Sequence, residues 1–419
     1  MTMQVTALGA IIGLSIAIIL IIKKAHPAYS LILGSLIGGL IGGAGLVGTV
    51  ELMIDGAKSI MPAILRIVTA GVLAGVLIES GAAAKISETI VKKIGDSNSL
   101  IALTLATYIL TAVGVFIDVA VITVSPIALA IAYRSKISKP AILLAMIGGG
   151  KAGNIISPNP NTISAANTFN IPLTSLMGAG FIPSIFGIII TILLAKKLTN
   201  KGTFIKKEDL SGFCENKPSF ISSIIGPLIA IILLALRPLY GISIDPLIAL
   251  PLGGIIGALC MGKFKNLNSY SISGLSKMSG VAILLIGTGT IAGIIANSAL
   301  KDLIISGLTI SGLPAYDLAP ISGVLMSGVT ASTTSGTAVA SSVFGKTIIS
   351  LGVPALSAAA MIHSGATVLD HLPHGSFFHA TGGSVSMNMK ERLKLIPYES
   401  LIGLVMTIVS TIIFGVFLK

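Results

Sequence analysis

Long apolar runs separated by short polar breaks make up this chain from end to end. Residues 5–22, 176–195, 221–236 and 397–418 each approach the ~20 apolar residues that a helix needs to cross a hydrocarbon core of about 30 Å. The polar stretch KKLTNKGTFIKKEDLSGFCENKP at 196–218 lies near the middle, and a similar order of segments is written on either side of it. ILRIVTAGVLAGVLIESGAAAKI from Ile64 is matched by ILLIGTGTIAGIIANSALKDL from Ile283. TAVGVFIDVAVITVSP from Thr111 is matched by VTASTTSGTAVASSVFG from Val329. Next come two Pro-entered spans broken by Gly, Pro and polar residues, KPAILLAMIGGGKAGNIISPNPNT (139–162) and VPALSAAAMIHSGATVLDHLPHGS (353–376). Setting Pro158 against Pro373 also aligns Gly150 with Gly365 and Asn159 with His374.

Interrupted apolar segments at corresponding places in two halves point to a transporter site. Irregular backbone at membrane depth survives only where protein or a water-filled cavity satisfies its polar groups. The Thr111 and Val329 stretches therefore read as re-entrant hairpin cores, and the two Pro-broken spans as unwound helices. The expected fold is an all-α polytopic membrane protein of two inverted repeats, 1–197 and 219–419, joined by a cytoplasmic linker at 198–218. Each repeat has five spans, and an odd number inverts the second half. With the N-terminus outside, only Lys58, Arg66, Arg237, Lys301, Lys346 and Lys419 fall outside and Lys151 lies in the membrane; the rest of the 27 Lys and Arg are cytoplasmic. The positive-inside rule selects this orientation, with both termini outside the cell (inner) membrane.

Composition agrees with the pattern. The chain is 53% hydrophobic and 10% charged, with mean hydropathy +1.00, against about 25% charged residues in soluble domains. A net charge of +12 would suggest nucleic acid in a soluble protein. Here it reflects cytoplasmic loops beside a lipid bilayer, and no nucleic-acid partner is expected. Cys214 and Cys260 stand in unrelated contexts and imply neither a disulfide nor a metal cluster. The first apolar run lacks a basic leader and a small-residue cleavage site, and reads as a span. The sequence is compatible with a homo-oligomer.

The strongest chemical signal is GGGKAGNIISPNPNT at 148–162. Pro158 and Pro160 remove two backbone donors, while Asn154, Ser157, Asn159, Asn161 and Thr162 supply neutral hydrogen-bonding groups at the break. Two half-helix ends there would offer positive dipoles to an anion. Lys151 is costly at this depth unless paired or facing a cavity. It is read as a substrate-carboxylate or proton-linked residue, as the ion-pair partner of Asp118, or as snorkelling to the interface. Ser332, Thr333, Thr334, Ser335 and Thr337 form a second polar site, too hydroxyl-dense for a lipid-facing helix. Asp118, in the apolar run VGVFIDVAVITV, is either paired or a proton-coupling site. His363, His371, His374 and His379 cluster near Asp370 without metal-binding spacing. A proton relay or substrate contact suits them better, and His374, followed by Ser376, is the favoured one. No P-loop or catalytic elbow appears, so neither an enzyme nor a cofactor is expected.

At these residues the chain resembles the gluconate permease family, proton symporters for gluconate and related acids. GGGKAGNIISPNPNT is similar to that family's central motif, and VLDHLPHGSFF with NMKERLKLIPYESLIGL to its C-terminal signature. The resemblance implies secondary active transport of a small organic anion coupled to a proton, with sodium as the other possible ion. It also implies that Asn159, Asn161, Thr162 and 332–337 are the polar break points. The LDHLPHG pattern looks more like the branch that takes short hydroxy acids. The alternative in another class is a cation/proton antiporter, which would place several carboxylates at the breaks.

Overall fold

The computed structural model describes residues 5–95, 98–210, 217–300, 303, 306, 314–373 and 375–418. His374, Cys214, Lys301 and Lys419, all weighed above, lie outside the described residues. Among the described residues the chain is all-helical, with two isolated bridges, Val5 to Ser298 and Ser138 to Phe204. The order is α1 Ala7–Ile22, α2 Pro27–Ile41, α3 Gly45–Glu79, α4 Ala82–Ile94, α5 Ser99–Ala112, α6 Ile117–Ser135, α7 Lys139–Asn154, α8 Pro160–Thr168, α9 Leu173–Ala179 and α10 Phe181–Leu198. After the linker come α11 Phe220–Tyr240, α12 Pro246–Cys260, α13 Leu267–Ala296, α14 Leu318–Thr330, α15 Thr333–Ser350, α16 Ala355–Gly365, α17 Ser376–Ser384, α18 Met389–Leu393 and α19 Ile396–Thr411. Among the described residues, six helical stretches are long and apolar enough to cross a membrane: Gly45–Glu79, Ile117–Ser135, Leu173–Leu198, Phe220–Arg237, Phe264–Ala296 and Met389–Phe417. Ala7–Ile22, Pro27–Ile41, Ser99–Ala112 and Pro246–Cys260 are shorter apolar helices.

Local chemistry sets the helix ends. Ser138 caps α7, its hydroxyl accepting from the Ala141 amide, with Pro140 in the first turn. Asp245 caps α12 ahead of Pro246. Such caps satisfy amides that the helix itself leaves unpaired. The apolar periphery faces outward: Leu8, Ile19, Ile189, Leu193, Ile221 and Ile232 are exposed along α1, α10 and α11. In water such a belt would be a liability; against acyl chains it is a boundary.

The interior is built around α7, buried along its whole length, and around the crossing of α3 and α13. In that crossing Gly56, Gly71 and Gly75 lie against Gly289, Gly274 and Tyr270 with no room for a Cβ. The linker is tied to both halves. Thr203 donates its amide and hydroxyl to Glu391 at 2.5 and 2.7 Å, and Lys139 reaches Asp209 at 2.9 Å and the Ser386 carbonyl at 3.0 Å. Burial alone would raise the Asp209 pKa. Hydrogen bonds from the Lys206 amide and Lys139, with the charges of both lysines, hold it below the usual carboxylate range instead.

Candidate functional site

The interruptions noted in the sequence meet at one cavity of about 450 Å³. The α5–α6 turn supplies Phe116, Ile117, Asp118 and Val119, and the end of α7 supplies Asn154. The α14–α15 turn supplies Ala331, Ser332, Thr333, Thr334 and Ser335, and the segment between α16 and α17 supplies Asp370, Ser376 and Phe377. The remaining wall is α13, through Lys277, Gly280, Val281 and Leu284.

Three helices start at this cavity. α6 and α17 begin at Phe116 and Gly375 with no side-chain cap, and α15 begins at Ser332, whose hydroxyl accepts from the Ser335 amide. The positive dipole ends of the three helices favour an anion. Hydroxyls at 332–335 add neutral donors, and Lys277, paired with Glu79 at 3.4 Å, stands on the same wall. Asp118 uses Oδ1 to accept from the Val119 amide at 2.9 Å. The α14–α15 turn is sharp because Ala331 takes a left-handed φ of 46°, a conformation that costs a residue with a Cβ. Gly375 lies against the Ala331 methyl and carbonyl, where any Cβ would clash. Glycine is thus required for the second break to close on the hairpin tip.

The amides of the first break brace it. Asn159 caps α8, its Oδ1 accepting from the amide and hydroxyl of Thr162, both at 3.1 Å. Its Nδ2 donates to the Asn154 carbonyl at 2.8 Å and side-chain oxygen at 2.5 Å, aiming Asn154 into the cavity wall. Asn161 Oδ1 accepts from the Thr334 hydroxyl at 2.5 Å, linking the first break to the opposite hairpin tip. Asn159, Asn161, Thr162 and Thr337 are buried and do not line the cavity. The Thr337 hydroxyl has no hydrogen-bond partner among the described residues.

The Lys151–Asp118 ion pair weighed from the sequence is corrected. Lys151 is fully buried and bonds Asp370 Oδ1 at 2.5 Å, His371 Nδ1 at 2.9 Å and the Thr367 carbonyl at 2.7 Å. Asp370 Oδ2 accepts from the Thr333 hydroxyl at 2.5 Å. Lys151 faces the second break because α7 runs through the core, while Asp118 sits at the first hairpin tip. So Asp118, Asn154, Ser332, Thr333, Thr334, Ser335 and Ser376 are brought together at the cavity, and Lys151 stands behind it. Sequence reading did not single out Lys277 for the site, and it placed Asp370 and His371 in the histidine cluster without pairing them with Lys151. The signal for Asp370 was present: the Pro158–Pro373 alignment puts it opposite Ile155, the first residue past α7.

The profile of the GntP family permeases matches residues 3–417. The chain is 67% identical over 414 residues to an uncharacterized transporter of Haemophilus influenzae, covering 99% of both chains. It is 24% identical over 234 residues to the high-affinity gluconate transporter of Escherichia coli, covering 54% of this chain and 52% of that one. Among solved structures, the YdaH transporter of Alcanivorax borkumensis superposes with a TM-score of 0.66 at 16% identity over 90% of each chain, so the fold is shared. The chain belongs to the GntP permease family and is a multi-pass membrane transporter.

Proposed function

We propose that this permease is a secondary active transporter carrying gluconate-like sugar acids or short hydroxy-carboxylates across the inner membrane together with a proton. The observation that carries the reading is the convergence of three helix N-termini and a hydroxyl-rich turn on one cavity. Amide dipoles suit a carboxylate, hydroxyls suit the remaining hydroxy groups of such an acid, and about 450 Å³ is within the usual range for a small-ligand site. The name of the gluconate transporter among its relatives supports the same class. In this reading the α5–α6 and α14–α15 pairs are re-entrant hairpins, α7–α8 and α16–α17 are broken helices, and repeats 1–197 and 219–419 are inverted about linker 198–218. Asn154, Ser332, Thr333, Thr334, Ser335 and Ser376 contact substrate; Asn159, Asn161 and Thr162 hold the first break in place. Asp118, and His374 by its sequence position, are the proton carriers that the sequence offers.

Purified protein screened for thermal stabilisation against sugar acids, hydroxy acids and amino acids, at two pH values with and without sodium, tests this. A ligand at about 100 times its Kd stabilises by about 2.7 kcal/mol, so a hydroxy acid should raise the melting temperature measurably, more at the lower pH. Stabilisation by sodium alone with no response to any acid would favour a cation/proton antiporter and sink the proposal.

A further inference from the structure

Behind the cavity wall, anion recognition leaves a buried titratable cluster unused. Lys151 and His371 are fully buried and Asp370 is 3% exposed. The Lys151 ammonium has three protons and meets three acceptors: the Thr367 carbonyl, Asp370 Oδ1 and His371 Nδ1. If Nδ1 accepts, the neutral imidazole carries its proton on Nε2, which donates to the Ile396 carbonyl at 3.1 Å and lies 3.2 Å from the Ser400 hydroxyl. Nδ1 is also 3.0 Å from Asp370 Oδ1. A proton on Nδ1 would be donated to Asp370, but it would also stand donor against donor with the Lys151 ammonium at 2.9 Å, so Lys151 must draw back from the ring while keeping Asp370 and the Thr367 carbonyl.

We propose that His371 is the proton-binding residue of transport, taking up a proton on Nδ1 when an organic anion occupies the cavity, as its Nδ1 contact passes from Lys151 to Asp370. The proposal rests on the transport reading above. Lys151, Asp370 and neutral His371 sum to zero charge; adding the proton gives +1, which balances a monoanion beside the cluster. The link to the cavity is Asp370 itself, which lines it and holds the Thr333 hydroxyl at the start of α15 with Oδ2. The groups facing His371 are Lys151 from α7, Asp370 from its own segment, and the Ile396 carbonyl and Ser400 from α19. Glu399 of α19 is engaged by Arg392, and Asp118 and Lys277 lie around the cavity wall. Histidine is the side chain whose ordinary range spans neutral pH. Asp118, by contrast, holds the Val119 amide of its own helix, and protonating it would not exchange one inter-element contact for another.

The test uses full-length protein in proteoliposomes with gluconate and 3-hydroxybutyrate as probes. His371→Asn and His371→Gln should retain counterflow exchange at equal pH within about threefold of wild type and lose accumulation driven by a pH gradient. Gradient-driven accumulation by both His371 variants would overturn the proposal. Should both His371 variants fail to fold, ¹⁵N-imidazole NMR of wild-type protein decides. At one fixed pH, the ring assigned to His371 should be an Nε2–H tautomer without the acids and an imidazolium with either acid bound. A ring neutral throughout, with and without the acids, overturns it. Wild-type protein that exchanges neither acid would instead defeat the transport reading.

Discussion

Asn161 and Thr334 are separated by 173 positions, yet one hydrogen bond of 2.5 Å joins them across the break and the hairpin tip. Asn161→Ala and Thr334→Val should each lower uptake at normal expression, since a buried group left unpaired costs about 1–3 kcal/mol. Because they share one bond, the double variant should be little worse than either single one; additive losses in uptake assays would show that they act separately. Lys151→Met leaves Asp370 buried without its counter-charge, and about 3–5 kcal/mol of stability should be lost. Lys151→Met with Asp370→Leu should recover much of that loss in thermal unfolding. The residue types at the breaks were legible in the sequence, since Asn, Ser and Thr among Gly and Pro have few other uses at membrane depth. The partners were not. Lys151 and Asp370 lie 219 positions apart, and no local spacing encodes which buried charge meets which.

At the scale of elements, Pro marked the starts of α7 and α8 well, because a lost donor acts locally, whereas the left-handed residue of the α14–α15 turn is Ala331, which carries no such mark in the sequence. The docking of the linker was illegible, since it depends on tertiary partners: Lys139 at the start of α7 and Glu391 in α18. This docking has a pH signature. The Asp209 pKa is lowered in the folded protein, so its contribution is fully present above the unfolded value of about 3.9 and is lost as pH falls through the folded value. The linker should stay docked at neutral pH and loosen only in strong acid. Asp209→Asn should loosen it at neutral pH, read as several-fold faster tryptic cleavage at Lys201, Lys206 and Lys207. Cleavage unchanged from wild type would show that the Glu391 contacts suffice.

For the whole molecule, the apolar periphery was foreseeable from hydropathy, and the order of helices follows the segments read from the chain. Orientation rests on charge alone and makes a direct prediction: reporters fused at Lys201 and near Lys390 should read cytoplasmic, and one near Arg237 external. A cytoplasmic signal at Arg237 would remove the inverted arrangement. The α3–α13 crossing carries a further consequence. Gly56, Gly71 and Gly75 meet Gly289, Gly274 and Tyr270 nearly backbone to backbone, so few interlocked side chains need to disengage before one helix shifts along the other. Such a contact has the build of a bearing: two long shafts held close by dispersion forces, with shear in small steps the motion it would permit.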